Sequence, residues 1–88
     1  MITAVEISMY PLTDDYIPPI DDFLERIRQY SDLTVKTSPS STRIQGEYKN
    51  VMNAVTDCME KTYRDDVKAT FVMKVLNTDV TETKWDDR

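Results

Sequence analysis

Along this 88-residue chain the apolar residues switch back and forth between two spacings, and the order of the switches leaves few folds open. From Thr3 to Tyr10, Val5, Ile7 and Met9 alternate with Ala4, Glu6, Ser8 and Tyr10, the period-two pattern of a strand with one buried face. Pro11 ends it, because proline cannot donate to a ladder. Ile17, Ile20, Phe23, Leu24, Ile27 and Tyr30 then recur at three and four residues, with Asp21, Asp22, Glu25, Arg26 and Arg28 between them. That spacing predicts an amphipathic helix of roughly 14 residues. Thr13-Asp14-Asp15 offers capping oxygens at its start, and Pro18-Pro19 suits a first turn whose N–H groups lack partners.

Ser31-Asp32 breaks the helical pattern, and Leu33–Thr37 alternates again as a second strand. Ser38-Pro39-Ser40-Ser41 has the composition of a turn. Thr42–Tyr48 reads as a third strand, with Ile44 and Tyr48 on one face and Arg43, Gln45 and Glu47 on the other. Gly46 in mid-strand predicts a bulge or a close backbone approach. A second helix is expected over Asn50–Arg64, with Val51, Met52, Val55, Cys58, Met59 and Tyr63 as its apolar stripe. Asp65-Asp66 closes it, and Val67–Leu76 forms the last strand, with Phe71, Met73 and Val75 on one face.

The element order is β-α-β-β-α-β. Right-handed crossovers through the helices give one four-stranded antiparallel sheet of order 4-1-3-2. This is an α+β ferredoxin-like plait with both helices on one face. Residues 1–77 are expected to form the domain and residues 78–88 a polar tail carrying Trp85.

Composition removes several functions. A formal charge of −5 argues against a nucleic-acid partner, which needs a basic face to replace counterions on phosphate. No apolar run is long enough to span a bilayer, and Glu6 interrupts the stretch where a signal peptide needs an unbroken apolar core. The expected location is therefore the cytoplasm. With no histidine and one cysteine, the chain lacks histidine acid–base chemistry, histidine metal sites, an internal disulfide and a thiolate zinc cage. No metal and no cofactor are expected. Cys58, within an apolar helical stripe, reads as core. The pairs Asp14-Asp15, Asp21-Asp22 and Asp65-Asp66 read as caps and solvated surface rather than as cation ligands.

Two helices cover one side of a plait. Glu6, Ser8, Tyr10, Thr34, Lys36, Arg43, Gln45, Glu47, Thr70, Val72 and Lys74 are left for the other. A solvated face and burial against another subunit both accommodate that mixture. Base stacking does not, since an RNA-binding plait needs aromatic residues on its central strands.

Ala4-Val5-Glu6-Ile7-Ser8-Met9-Tyr10-Pro11-Leu12, Asp15-Tyr16-Ile17-Pro18, and Ser38-Pro39-Ser40-Ser41-Thr42 followed by Gly46-Glu47 occur in succession. Through Asn77 the chain resembles the YkoF-like family that binds thiamine and hydroxymethylpyrimidine. The resemblance implies a ferredoxin-like domain, assembly into homo-dimers or homo-tetramers through the sheets, and non-catalytic binding of the aminopyrimidine half of thiamine. The chain departs from the family pattern at Leu12-Thr13-Asp14, at Ser40 and at Lys49.

An aminopyrimidine offers a flat face, ring-nitrogen acceptors and an amino donor, which a carboxylate, hydroxyls and an aromatic ring can match. Under the resemblance, Glu6 becomes the candidate carboxylate, Ser8, Ser38, Ser41 and Thr42 the candidate hydroxyls, and Tyr10 the candidate stacking ring. Each has a structural alternative. Glu6 can pair across strands with Lys36, Arg43 or Lys74, the hydroxyls can serve the turn and strands, and Tyr10 can pack at the rim. Tyr16 and Tyr48 read as helix-entry and core-edge packing.

The leading function is thus a small-molecule binding protein for thiamine or its pyrimidine precursor, in carriage, sequestration or sensing. The alternative is an oligomeric interaction domain without a ligand. A plait enzyme comes third, and it would have to use Glu, Tyr or Lys as its base.

Overall fold

The structure is a computed structural model that describes residues 1–77; the expected tail with Trp85 lies outside the described residues. Six elements follow one another: β1 (Ile2–Pro11), α1 (Ile17–Ile27), β2 (Thr34–Thr37), β3 (Thr42–Glu47), α2 (Tyr48–Arg64) and β4 (Ala69–Leu76). The strands form one antiparallel sheet in the order β2-β3-β1-β4. The ferredoxin-like plait expected from the spacing is the fold observed.

Register fixes which residues share a face. Val5 lies opposite Ile44 and Val75, and Ile7 opposite Thr42 and Met73, on the side toward the helices. Glu6 lies between Arg43 and Lys74 on the open side, with Lys36 beyond Arg43. The core forms where Val5, Ile7 and Ile44 meet Phe23 and Ile27 of α1 and Val51, Ala54, Val55 and Cys58 of α2. Burying such side chains stabilises by about 1.5–3 kcal/mol each, which is why the apolar stripes, rather than local propensity, hold the helices.

Several boundaries depart from the spacing. Tyr48 opens α2 instead of closing β3, because the chain passes from strand to helix at Glu47 with no loop. Leu33 precedes β2, and Val67 and Lys68 precede β4. Helix α1 stops at Ile27, well before Tyr30. Its N-cap is Tyr16, with no side-chain hydrogen bond, so Thr13-Asp14-Asp15 does not cap it. Pro18 does sit in its first turn, as its fixed φ favours. Ile17 and Tyr63, assigned to apolar stripes, are exposed, whereas Ala54 and Thr62 are buried. Thr62 satisfies its hydroxyl by donating to the carbonyl of Cys58 at 3.1 Å.

Gly46 pairs with Thr3 in unbroken register, so it marks a close approach and not a bulge. A Cβ there would lie 2.7 Å from Leu33 Cδ2 and 3.2 Å from the carbonyl of Asp32. The N-terminal amine of Met1 meets both carboxylate oxygens of Glu47 at 2.9 Å, and Met1 accepts the Tyr48 N–H at 3.0 Å.

Candidate functional site

The β2–β3 turn is closed by its own serines. The Ser38 N–H donates to the Ser41 carbonyl at 2.9 Å, the Ser38 hydroxyl donates to that carbonyl at 3.1 Å, and the Ser41 N–H donates to Ser38 Oγ at 3.3 Å. This is how short hydroxyl side chains substitute for backbone partners in turns. The turn is then held against β1 at two points. Ser8 Oγ donates to the Ser40 carbonyl at 3.0 Å, and Ser41 Oγ donates to Glu6 Oε2 at 3.0 Å. The other Glu6 oxygen lies 3.7 Å from the Lys74 ammonium. Glu6 is partly buried while Lys74 is largely exposed, so the ion pair itself is screened and contributes little. The hydroxyl bond fixes the carboxylate more firmly.

Between this turn and α1 lies a cavity of about 110 Å³. One wall is apolar, from Ile7 and Met9 of β1 and Ile20, Phe23 and Leu24 of α1; the other is the run Thr37–Thr42. Phe23 also contacts Phe71 of β4, with ring centroids 5.3 Å apart, and Tyr63 meets Phe71 edge-on at 5.8 Å. The volume is half-open, with one apolar wall and one hydroxyl-bearing wall, so it offers apolar contact and hydrogen-bonding groups side by side.

The six candidate residues separate into three groups. Ser8, Ser38, Ser41 and Thr42 line the cavity. Glu6 does not; it lies on the open face in a separate cup of about 240 Å³ shared with Ala4, Arg43, Lys74 and Leu76. Its link to the cavity runs through Ser41. Tyr10 lines neither and is 54 % exposed. Sequence reasoning missed Ile20, Phe23, Leu24, Met9, Pro39 and Ser40 as cavity residues. The apolar ones carry no signal beyond helical or strand spacing, which core packing produces equally well.

Elsewhere, Arg26 of α1 bonds Asp22 at 3.0 Å and Asp65, just past α2, at 2.8 Å, and the bond to Asp65 raises its pKa further. Burial pushes the Cys58 thiol above its ordinary range, with Arg26 opposing the shift. A buried thiol of this kind is a poor nucleophile. No group of three potential metal ligands occurs among the described residues, and no helix among them is long and apolar enough to cross a membrane.

The family model described as thiamine-binding protein matches residues 5–87. No curated protein sequence matches the chain. Among solved structures, a thiamine biosynthesis/salvage-like protein from Thermotoga maritima superposes with a TM-score of 0.85 at 18% identity, covering 100% of both chains. A Streptococcus pneumoniae protein gives a TM-score of 0.80 at 18% identity over 98% of this chain and 97% of its own. A domain of unknown function from Bacillus cereus gives 0.82 at 16% identity over 100% of this chain and 91% of its own. At such identities the superpositions speak for the fold.

Proposed function

This chain belongs to the thiamine-binding protein family, and on that premise we propose that it binds the aminopyrimidine ring of thiamine or of hydroxymethylpyrimidine in the cavity between α1 and the serine turn, without catalysis. The observation that carries the reading is the pairing of an apolar wall with hydroxyl groups around about 110 Å³. That is room for one ring and not for a whole two-ring thiamine, so the thiazolium would project outward. Ser38, Ser41 and Thr42 would meet the polar edge of the ring, and Ile20 and Leu24 its face. Glu6 takes a different role from the one its residue type suggests: it positions Ser41 rather than touching the ligand. Tyr10, exposed on the rim, is left out of the site. Carriage, sequestration or sensing in the cytoplasm fits a binding protein of this kind, and assembly of copies through their sheets belongs to the same proposal.

The test is thermal melting with thiamine and with free hydroxymethylpyrimidine. Ligand at 100 times its Kd stabilises the folded form by about 2.7 kcal/mol, and for a domain of this size each kcal/mol raises Tm by about 4–8 °C. Both ligands should raise the midpoint, because both carry the ring. Leu24→Trp, which fills the cavity, should remove the response. Glu6→Gln should weaken it partially. Midpoints that stay flat with both ligands at millimolar concentration would sink the proposal and favour the ligand-free interaction domain.

A further inference from the structure

Each hydroxyl has one hydrogen to donate, and along the serine wall of the cavity the structure fixes where it goes. Ser8 Oγ lies 3.0 Å from the Ser40 carbonyl, Ser38 Oγ 3.1 Å from the Ser41 carbonyl, and Ser41 Oγ 3.0 Å from Glu6 Oε2. Carbonyl and carboxylate oxygens only accept. All three serines are therefore the donors, and their hydrogens are directed at protein atoms.

The backbone of the turn adds few donors of its own. The Ser38 N–H is spent on the Ser41 carbonyl, the Ser41 N–H on Ser38 Oγ, and Pro39 has no N–H. What the serines retain is lone pairs. Ser8, Ser38 and Ser41 all line the cavity, so the hydroxyl-bearing wall presents acceptors, although each hydroxyl alone is able to donate as well.

The Ser8 and Ser38 bonds close the turn and hold it to β1. The Ser41 hydroxyl is not needed for that closure, because the Ser41 carbonyl and N–H already make it. Its hydrogen goes instead to a partly buried carboxylate in the middle of β1, a costly group to place there without a further use.

We infer that Glu6 sets the polarity of the wall: by taking the Ser41 hydrogen it completes a row of oxygen lone pairs that admits an amino group at the edge of the bound ring and rejects a carbonyl at the same position. The inference rests on the ring-binding reading above and adds the rule by which one ring is told from another. An amino group gives its hydrogens to the serine oxygens, while the Thr42 hydroxyl, at the buried end of the wall, gives one to the neighbouring ring nitrogen. A carbonyl in the amino position sets oxygen against oxygen, and both lose water without gaining a bond. Ile20 and Leu24 cannot make this distinction, because the two rings are nearly equal in size; fixed polar groups can.

Isothermal titration calorimetry tests it with two probes: hydroxymethylpyrimidine, and the same ring with a carbonyl in place of the amino group. The unaltered chain should bind the amino ring about thirtyfold more tightly. Glu6→Gln replaces an acceptor-only group with one that can donate to Ser41 Oγ, which releases the Ser41 hydroxyl to turn toward the ligand. The preference should then shrink to about threefold, with the carbonyl ring bound more tightly than before and an unchanged circular dichroism spectrum. A substitution that merely loosened the turn would weaken both rings alike. Ser41→Ala, which leaves Glu6 in place, should also narrow the preference, through loss of affinity for the amino ring alone. If neither ring binds the unaltered chain, the ring-binding reading falls and the polarity rule with it. Equal affinity for both rings leaves that reading standing and overturns the rule, as does a preference that survives both substitutions.

Discussion

β1 has β3 and the serine turn on one side and β4 on the other, and the two sides are finished in opposite ways. On the first, Ser38, Ser41, Ser8 and Glu6 are joined by short hydrogen bonds, and Ile44 is fully buried. On the second, residues with the same alternation and the same face assignment, Met73 and Val75, stay substantially exposed. The difference arises from what lies above. α2 packs on β1 and β3, and α1 on β1, so among the described residues the apolar pattern of β4 has a face to bury and little beyond Phe23 and Tyr63 to bury it against. Period-two alternation therefore tells which residues share a face, and helix placement decides whether that face is covered.

The strongest way to break the contrast is to cut the aromatic link that ties β4 to the helices. Phe71→Ala removes contacts with both Phe23 and Tyr63 and should cost about 3 kcal/mol, measured by urea unfolding. Hydrogen exchange should then rise first in Ala69–Leu76. Exchange rising equally in β2 and β3 would mean that the two sides unfold as one.

On the opposite side, Gly46→Ala forces a methyl group against Leu33 and the Asp32 carbonyl. It should cost about 2 kcal/mol and loosen the approach to β2 while leaving the aromatic group around Phe71 intact, as read from aromatic side-chain NMR shifts. Thr3, between Val5 and the sheet end, is fully buried and its hydroxyl has no hydrogen-bond partner. Thr3→Val should raise stability by about 1 kcal/mol, read as a higher urea midpoint, and because Thr3 pairs with Gly46 of β3 and lies outside the β1–β4 register, slower hydrogen exchange should show first on the β3 side. The smallest effect belongs to Asp66, which holds φ at 62° just after α2. Asp66→Gly should add about 0.5 kcal/mol and raise Tm slightly; a fall in Tm would show that its carboxylate does more than occupy a left-handed turn position.

Most of the architecture was legible because each change in apolar spacing coincides with an element, from Val5-Ile7-Met9 to Phe71-Met73-Val75. What was not legible depends on residues distant in sequence. Tyr48 continues the alternation of β3, yet the chain turns helical there, with Glu47 bound to the amine of Met1. Thr13-Asp14-Asp15 has the right oxygens for a cap but does not place them on the helix end. The hydroxyls of the site were visible as a serine cluster, since serines gather in turns. Its apolar wall was not, because Ile20 and Leu24 have the spacing of any core-facing helix. Glu6 was singled out as an isolated acid in a strand; only the register and the turn geometry reveal that it holds Ser41 with one oxygen and faces Lys74 with the other.

That divided carboxylate is held firmly at one oxygen only. One oxygen takes the Ser41 hydroxyl at 3.0 Å and steadies the rim of the cavity, whereas the other faces the exposed Lys74 ammonium across 3.7 Å and gains little from it. Added salt should therefore leave the seat of the Ser41 hydroxyl almost unchanged, since screening weakens the long contact to Lys74 and spares the short bond.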